Sequence, residues 1–183
     1  MSSPPPAVST VPPTSTPIVS ATAAAVDPAT VDPCSLLDAA QIGAALGETV
    51  SAGVLTESAE HATCFYDVAA WPVPIVIPED SGVRLVVSRD RWTVSTYRPA
   101  DNNPEQQPLT EISGVGDRAW WQVHVELPNI HVNTENANLY VVSEPFQFTI
   151  SFIQIPNPVG VDKGEWLADA TALANEVIAA LGR

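Results

Sequence analysis

Alternation with period two governs the middle of this chain, and helical spacing governs its end. Val83, Leu85 and Val87 alternate with Arg84, Val86 and Ser88. Trp121, Val123, Val125 and Leu127 alternate with Trp120, Gln122, His124 and Glu126, and Phe146, Phe148, Ile150 and Phe152 with Gln147, Thr149 and Ser151. Successive side chains of a strand point to opposite sides, so each run predicts a strand with one face on a core. Cys64, Phe65 and Tyr66 predict a shorter strand, as do residues 92–97 and 139–142.

Towards the C-terminus Trp166, Ala170, Leu173, Val177 and Leu181 recur at helical spacing, joined by Leu167, Ala174 and Ile178. That stripe predicts an amphipathic helix lying on a sheet. Asp162 is placed to cap it, Glu165 to complete a capping box, and Val161 with Trp166 to form a hydrophobic staple; Gly182 ends it. A shorter helix is expected over Ala39–Leu46, with Asp38 as N-cap, Gln41 at the box position, Leu37 and Ile42 as staple and Gly47 as terminator. The order helix, several strands, helix lacks a repeating βαβ rhythm. It predicts the α+β class: an antiparallel sheet packed by a short N-terminal helix and a long C-terminal one. Residues 71–80, with Pro72, Pro74 and Pro78, and residues 100–109 read as loops.

Residues 1–31 carry no such pattern. They are mostly Pro, Ser, Thr, Ala and Val, with Asp27 as their one acid and no base. A segment without an apolar face does not recover the entropy of ordering, so an extended, partly polyproline-like tether is expected there. Residues 32–183 are then a single domain of roughly 150 residues, long enough to bury about two-thirds of its unfolded surface.

Cys34 and Cys64 are the two cysteines of the chain. In an oxidising compartment they would close a loop of about 30 residues, and chain-entropy arithmetic assigns that roughly 3–4 kcal/mol. Two buried free thiols are the alternative; a metal site lacks CxxC or HxxxH spacing. The disulfide is the reading adopted, and with it an extracytoplasmic location, in the cell envelope or secreted. No export signal stands at Met1, so an anchoring cysteine would precede Ser2. A spacer of this composition suits a lipoprotein reaching away from a membrane; a secreted protein with a ragged N-terminus is the other reading.

Charge narrows the partners. The net charge is −14, from 21 acidic and 7 basic residues. Such a chain repels phosphate backbones and anionic headgroups, so no nucleic-acid partner is expected. No apolar run approaches the roughly 20 residues of a membrane helix.

The sequence Asp32-Pro33-Cys34-Ser35-Leu36-Leu37, a short helix ending Ala45-Leu46-Gly47, and then Cys64-Phe65-Tyr66 resembles a family of actinobacterial lipoproteins with a paired-cysteine domain of unknown function. Ile112-Ser113-Gly114-Val115-Gly116-Asp117-Arg118-Ala119-Trp120 is similar to that family's Gly-x-Gly-Asp-x-Ala-aromatic segment, and the Ala-rich helix over 168–181 fits too. The resemblance spans about 32–183; the Pro-rich stretch 71–80 departs from it. It implies export, anchoring and a paired-cysteine domain, and it carries no catalytic residues.

Gly114-Val115-Gly116-Asp117 precedes a strand, whereas a phosphate cradle opens a helix, so the glycines are expected to permit a tight strand start. His124, Glu126 and His131 form a possible zinc or iron set. A solvent-facing strand side produces the same pattern, and no metal or other cofactor is expected. No Gly-x-Ser-x-Gly elbow or diagnostic carboxylate pair appears, so no enzyme is expected and no catalytic residue is assigned. Arg84, Arg89, Arg91 and Arg98 hold four of the seven bases, interleaved with Trp92 and Tyr97. Arg84, Arg91, Trp92 and Tyr97 are the candidate ligand-binding residues, through guanidinium forks and aromatic stacking; cross-strand pairing with acids such as Asp90 is the bland reading.

The expected function is a non-catalytic envelope lipoprotein or secreted domain that binds an apolar or glycan-like ligand, or a partner protein. A structural or interaction module without a small-molecule site is the alternative, and a cell-wall hydrolase a more distant one.

Overall fold

The computed structural model describes residues 26–69, 71, 81–93, 109–125, 134–156 and 163–183. Among the described residues are seven strands and two α-helices: α1 (Ala39–Leu46), β1 (Val54–Glu57), β2 (His61–Asp67), β3 (Gly82–Ser88), β4 (Thr110–Ile112), β5 (Arg118–Val125), β6 (Thr134–Ser143), β7 (Phe146–Pro156) and α2 (Lys163–Ala180). The strands form one sheet in the order β1-β2-β3-β7-β6-β5-β4, and every pairing is antiparallel. The sheet is thus two meanders, β1–β3 and β4–β7, joined where β3 pairs with β7. This is the α+β architecture that the periodicities predict.

Alternation decides which side of each strand meets the helices. Cys64 and Tyr66 of β2, Val83, Leu85 and Val87 of β3, Ala119, Trp121 and Val123 of β5, Leu139 and Val141 of β6, and Phe148, Ile150 and Phe152 of β7 share the inner face and one core. Trp166, Ala170, Leu173, Ala174 and Val177 of α2, with Leu181 just past its end, are buried in that core, as the stripe requires. Asp162 and Val161 lie outside the described residues. Gly182, at φ 74°, turns the chain out of the helix.

Local chemistry sets α1. The Asp38 side chain accepts from the Gln41 amide at 2.8 Å, and the Gln41 side chain accepts from the Asp38 amide at 2.9 Å, which completes a capping box. Gly47 ends the helix at φ 69°. Leu37 and Ile42, the expected staple, are both fully buried.

Some residues ahead of Asp32 are already packed on the domain. Residues 1–25 lie outside the described residues, but Pro28–Thr30 form a 3₁₀ turn capped by Asp27, and Pro28 and Val31 are buried. A capped turn, the buried Pro28 and Val31 on the core supply what the composition alone does not suggest. A second such turn, Pro33–Ser35 capped by Asp32, brings Cys34 to Cys64; the two are bonded, with their Cα atoms 5.1 Å apart.

Tyr66 ties the same segment down. Its hydroxyl donates to the Leu37 carbonyl at 2.6 Å inside the core. Burial, with the Asp32 and Asp38 carboxylates adding to it, pushes its pKa up to about 12. Tyr66→Phe is expected to cost about 1–3 kcal/mol at neutral pH, because it leaves a buried carbonyl unpaired. The folded state holds this proton more tightly than the unfolded chain. Its contribution is therefore complete below pH 10 and fades as pH rises towards 12. Denaturant titrations across that window should show a shallower loss of stability in the variant, with a residual slope from Tyr140, whose burial raises its pKa too.

The Gly-x-Gly-Asp segment acts structurally. Gly114 and Gly116 have φ 83° and 56°, a region that favours glycine, and a Cβ on Gly116 would sit 2.6 Å from the Val142 carbonyl. That close approach lets the Asp117 amide donate to Val142 and the Asp117 carboxylate accept from the Glu144 amide, each at 2.8 Å. The segment therefore locks the start of β5 to the β6–β7 turn. Two strands escape periodicity: β1, exposed at every position, and β4, three residues long.

Candidate functional site

The sheet's outer face is where the candidate residues lie. It carries the side chains that alternate with the core: Phe65, Arg84, Ser151, Asn138 and Gln122 form one cross-strand row, and Thr63, Val86, Thr149, Tyr140 and Trp120 the next. This face is not uniformly solvated. Ser88, Trp120, Gln122, Val142, Gln147 and Ser151 are buried, and Trp120 with Val142 nucleates a small second cluster that takes in Trp92, Leu109 and Tyr140. Trp92 and Leu109 stand at the two described ends of the connection from β3 to β4, and both pack here.

The arginine cluster seen in the sequence comes apart in three dimensions. Arg84 stays on the outer face of β3, directly across from Phe65. Arg89, just past the end of β3, points elsewhere: its guanidinium pairs with Glu57 and donates to the carbonyls of Ala29 and Ser58. It clamps the N-terminal segment to the β1–β2 hairpin. Arg91 is mostly exposed and lies 3.9 Å from Asp27. Trp92 does not lie in a strand; its indole donates to Ser88 at 2.8 Å while its rings join the Trp120 cluster. Tyr97 and Arg98 lie outside the described residues. Of the candidate ligand residues, then, Arg84 and Trp92 share one sheet face, and Arg91 does not join them.

Arg84 borders a shallow hollow of about 430 Å³ on the outer face of β1–β3, lined by Thr56, Ser58, His61, Thr63, Phe65, Arg84 and Val86. Its floor is set by register. Thr56 pairs with Thr63 and Thr63 with Val86, while Val54 pairs with Phe65 and Phe65 with Arg84. Ser58 is held by the turn, accepting from the His61 amide and donating to the His61 carbonyl, both at 3.0 Å. Comparison with protein-family models, curated proteins and solved structures finds no match. The site is therefore read from its own residues.

Thr56, Thr63 and His61 were not singled out by the sequence. One signal existed: with Cys64 committed to the core, Thr63 and Phe65 must point outward. A second hollow, of about 460 Å³, lies beside the end of α2 and is lined by Gly116, Asp117, Ser143, Asn175, Ile178, Gly182 and Arg183. Its carboxylate, Asp117, already serves the β6–β7 turn.

At the opposite end of the outer face Arg118 lies over Trp120, 4.6 Å from the ring centre, and pairs with Glu111 at 2.9 Å. That hydrogen bond holds the Glu111 carboxyl below its usual range. Trp71 packs edge-on against Phe152 at 6.2 Å, within the main core. Neither Trp71, Trp92 nor Trp120 lines either hollow. Among the described residues no three His, Cys, Asp or Glu side chains gather as a metal site. The His124 side chain, Glu126 and His131 are not among those residues. No helix among the described residues is long and apolar enough to cross a membrane.

Proposed function

We propose that this chain is the folded domain of an exported, lipid-anchored envelope protein, related to the actinobacterial family its motifs resemble, and that it binds a ligand without catalysis. The hollow on β1–β3 carries this reading. It combines hydroxyls, an aromatic ring and a guanidinium on rigid strands, the polar and apolar mixture that small-ligand sites use. None of the described residues that line it is a carboxylate, and hydrolysis through an acid–base pair finds no support among them. The disulfide and the Pro-rich leader support the extracytoplasmic part of the proposal.

The test is mass spectrometry of lipids and glycans retained by the protein purified from its own host. Wild-type protein should carry a defined ligand that Arg84→Gln protein, equally folded, has lost. Equal retention by both would remove the hollow from consideration. A second reading, an interaction module, is favoured by β1: this edge strand exposes Val54 at 62% and Leu55 at 42%. Under that reading a partner protein, not a small molecule, accompanies the purified chain.

A further inference from the structure

We infer that β1 takes an extended segment of a partner protein as an added strand, and that this segment carries a basic residue two positions ahead of an aliphatic one. The inference rests on the interaction-module reading and adds the partner's chemistry to it. Every second residue of β1 turns its N–H and C=O away from β2. Among the described residues no strand lies on that side, since β1 ends the sheet. The edge also lacks the usual guards. Val54–Glu57 holds no proline and no lysine, and it pairs with β2 from Val54 opposite Phe65 to Glu57 opposite Ala62 without a bulge. All four residues are exposed, and exposure continues through the turn to His61. The opposite edge, β4, offers three residues, and Arg118 already engages its Glu111.

Register dictates what suits this edge. Leu55 and Glu57 stand across from Cys64 and Ala62, on the inner side of the sheet, and Val54 and Thr56 across from Phe65 and Thr63, on the outer side. An antiparallel segment passes Glu57, Thr56, Leu55 and Val54 in that order. Cross-strand pairing then asks for a basic residue facing Glu57, a β-branched one facing Thr56, and aliphatic ones facing Leu55 and Val54. Arg89 engages Glu57 through Oε1, and the Glu57 side chain stays 58% exposed, so a second cation can still meet it. Charge also decides between a partner and a second copy of this chain. With a net charge of −14 two copies repel one another, whereas a basic segment is drawn in. Two β1 strands overlapped about a two-fold axis would set Glu57 against Val54 and supply no cation to either copy.

The experiment is titration of the full chain, read by amide chemical shifts and hydrogen exchange, with the capped peptide Gly-Lys-Thr-Ile-Val-Gly and with its counterpart bearing Glu in place of Lys. Two further Lys peptides are N-methylated, one at Lys and Ile, the other at Thr and Val. The Lys peptide is expected to shift the amides of Val54–Glu57 at millimolar concentration and to protect those that do not bond to β2. The Glu peptide should bind about three- to tenfold more weakly, because a cross-strand attraction becomes a repulsion. One methylated peptide should fail to bind and the other succeed, the alternation that strand addition requires. Leu55→Lys and Val54→Lys, both at exposed positions, should each abolish binding with the melting temperature nearly unchanged. Glu57→Gln should make the Lys and Glu peptides equal. Equal binding of those two by the wild-type chain would overturn the basic partner. Slow exchange of every β1 amide in the free chain would mean that the edge is already taken, and a dimer dissolved by Leu55→Lys that a second copy takes it; either result overturns the proposal. If no peptide binds while a host protein still accompanies the chain and is lost on Leu55→Lys, the segment's chemistry falls and the interaction reading stands; if neither occurs, both fall.

Discussion

Leu173→Ala is expected to destabilise the domain by about 2–5 kcal/mol, the range for removing a buried leucine with partial collapse of the cavity. Leu173 lies mid-stripe on α2, is 1% exposed, and packs in the core beneath β6 and β7. For a domain whose net stability is about 5–15 kcal/mol, that is a large fraction. Glu176, on the exposed side of the same helix, accepts a hydrogen bond from the Gln41 side chain at 3.2 Å. Its replacement by alanine should barely move the denaturation midpoint, because isolated surface contacts contribute little. Urea titrations of the two variants read out the docking of α2. Equal small penalties would mean that the helix does not lie on the sheet as described.

Reducing the Cys34–Cys64 bond should cost about 3–4 kcal/mol on the chain-entropy account of a loop of this length. The bond spans a separation of 30 residues and pins the turn before α1 to β2. Cys64 is completely buried, and Gly53 lies against it: a side chain on Gly53 would collide with the Cys64 sulfur and the Tyr66 ring. A Cys34→Ala, Cys64→Ala double variant should therefore unfold at markedly lower denaturant, with native-like secondary structure before the transition. Thiol titration of the unreduced, denatured protein should find no free thiol. Two free thiols in protein from the host would overturn both the bond and the argument for export.

The two helices were legible because their determinants are local. Asp38 and Gln41 satisfy one another's backbone within a single turn, so α1 begins and ends where its sequence indicates. The stripe on α2 likewise needs only a partner surface. The long strands were legible from alternation, but β1 was not: with all four residues exposed, Val54–Glu57 shows no apolar period. The inner side chains of β7 were anticipated, whereas burial of Gln147 and Ser151 on its outer side was not. Polar residues at alternate positions read as solvated, and only the packing around them reveals otherwise.

What the sequence determined by itself is the two helices, the cap of α1 and the long strands with the face each turns to the core, since these depend on spacings of a few residues. The tertiary structure alone decided which strands are neighbours, and so which side chains meet. Arg84, Arg89 and Arg91 are close in sequence, yet the chain leaves the sheet after Ser88, sending Arg89 to Glu57 and Ala29 and leaving Arg84 beside Phe65. Conversely Thr63 and Val86 are far apart in sequence and become adjacent through strand register. Register is set by the sum of long-range pairings across the whole sheet, with no local signature at the residues it brings together.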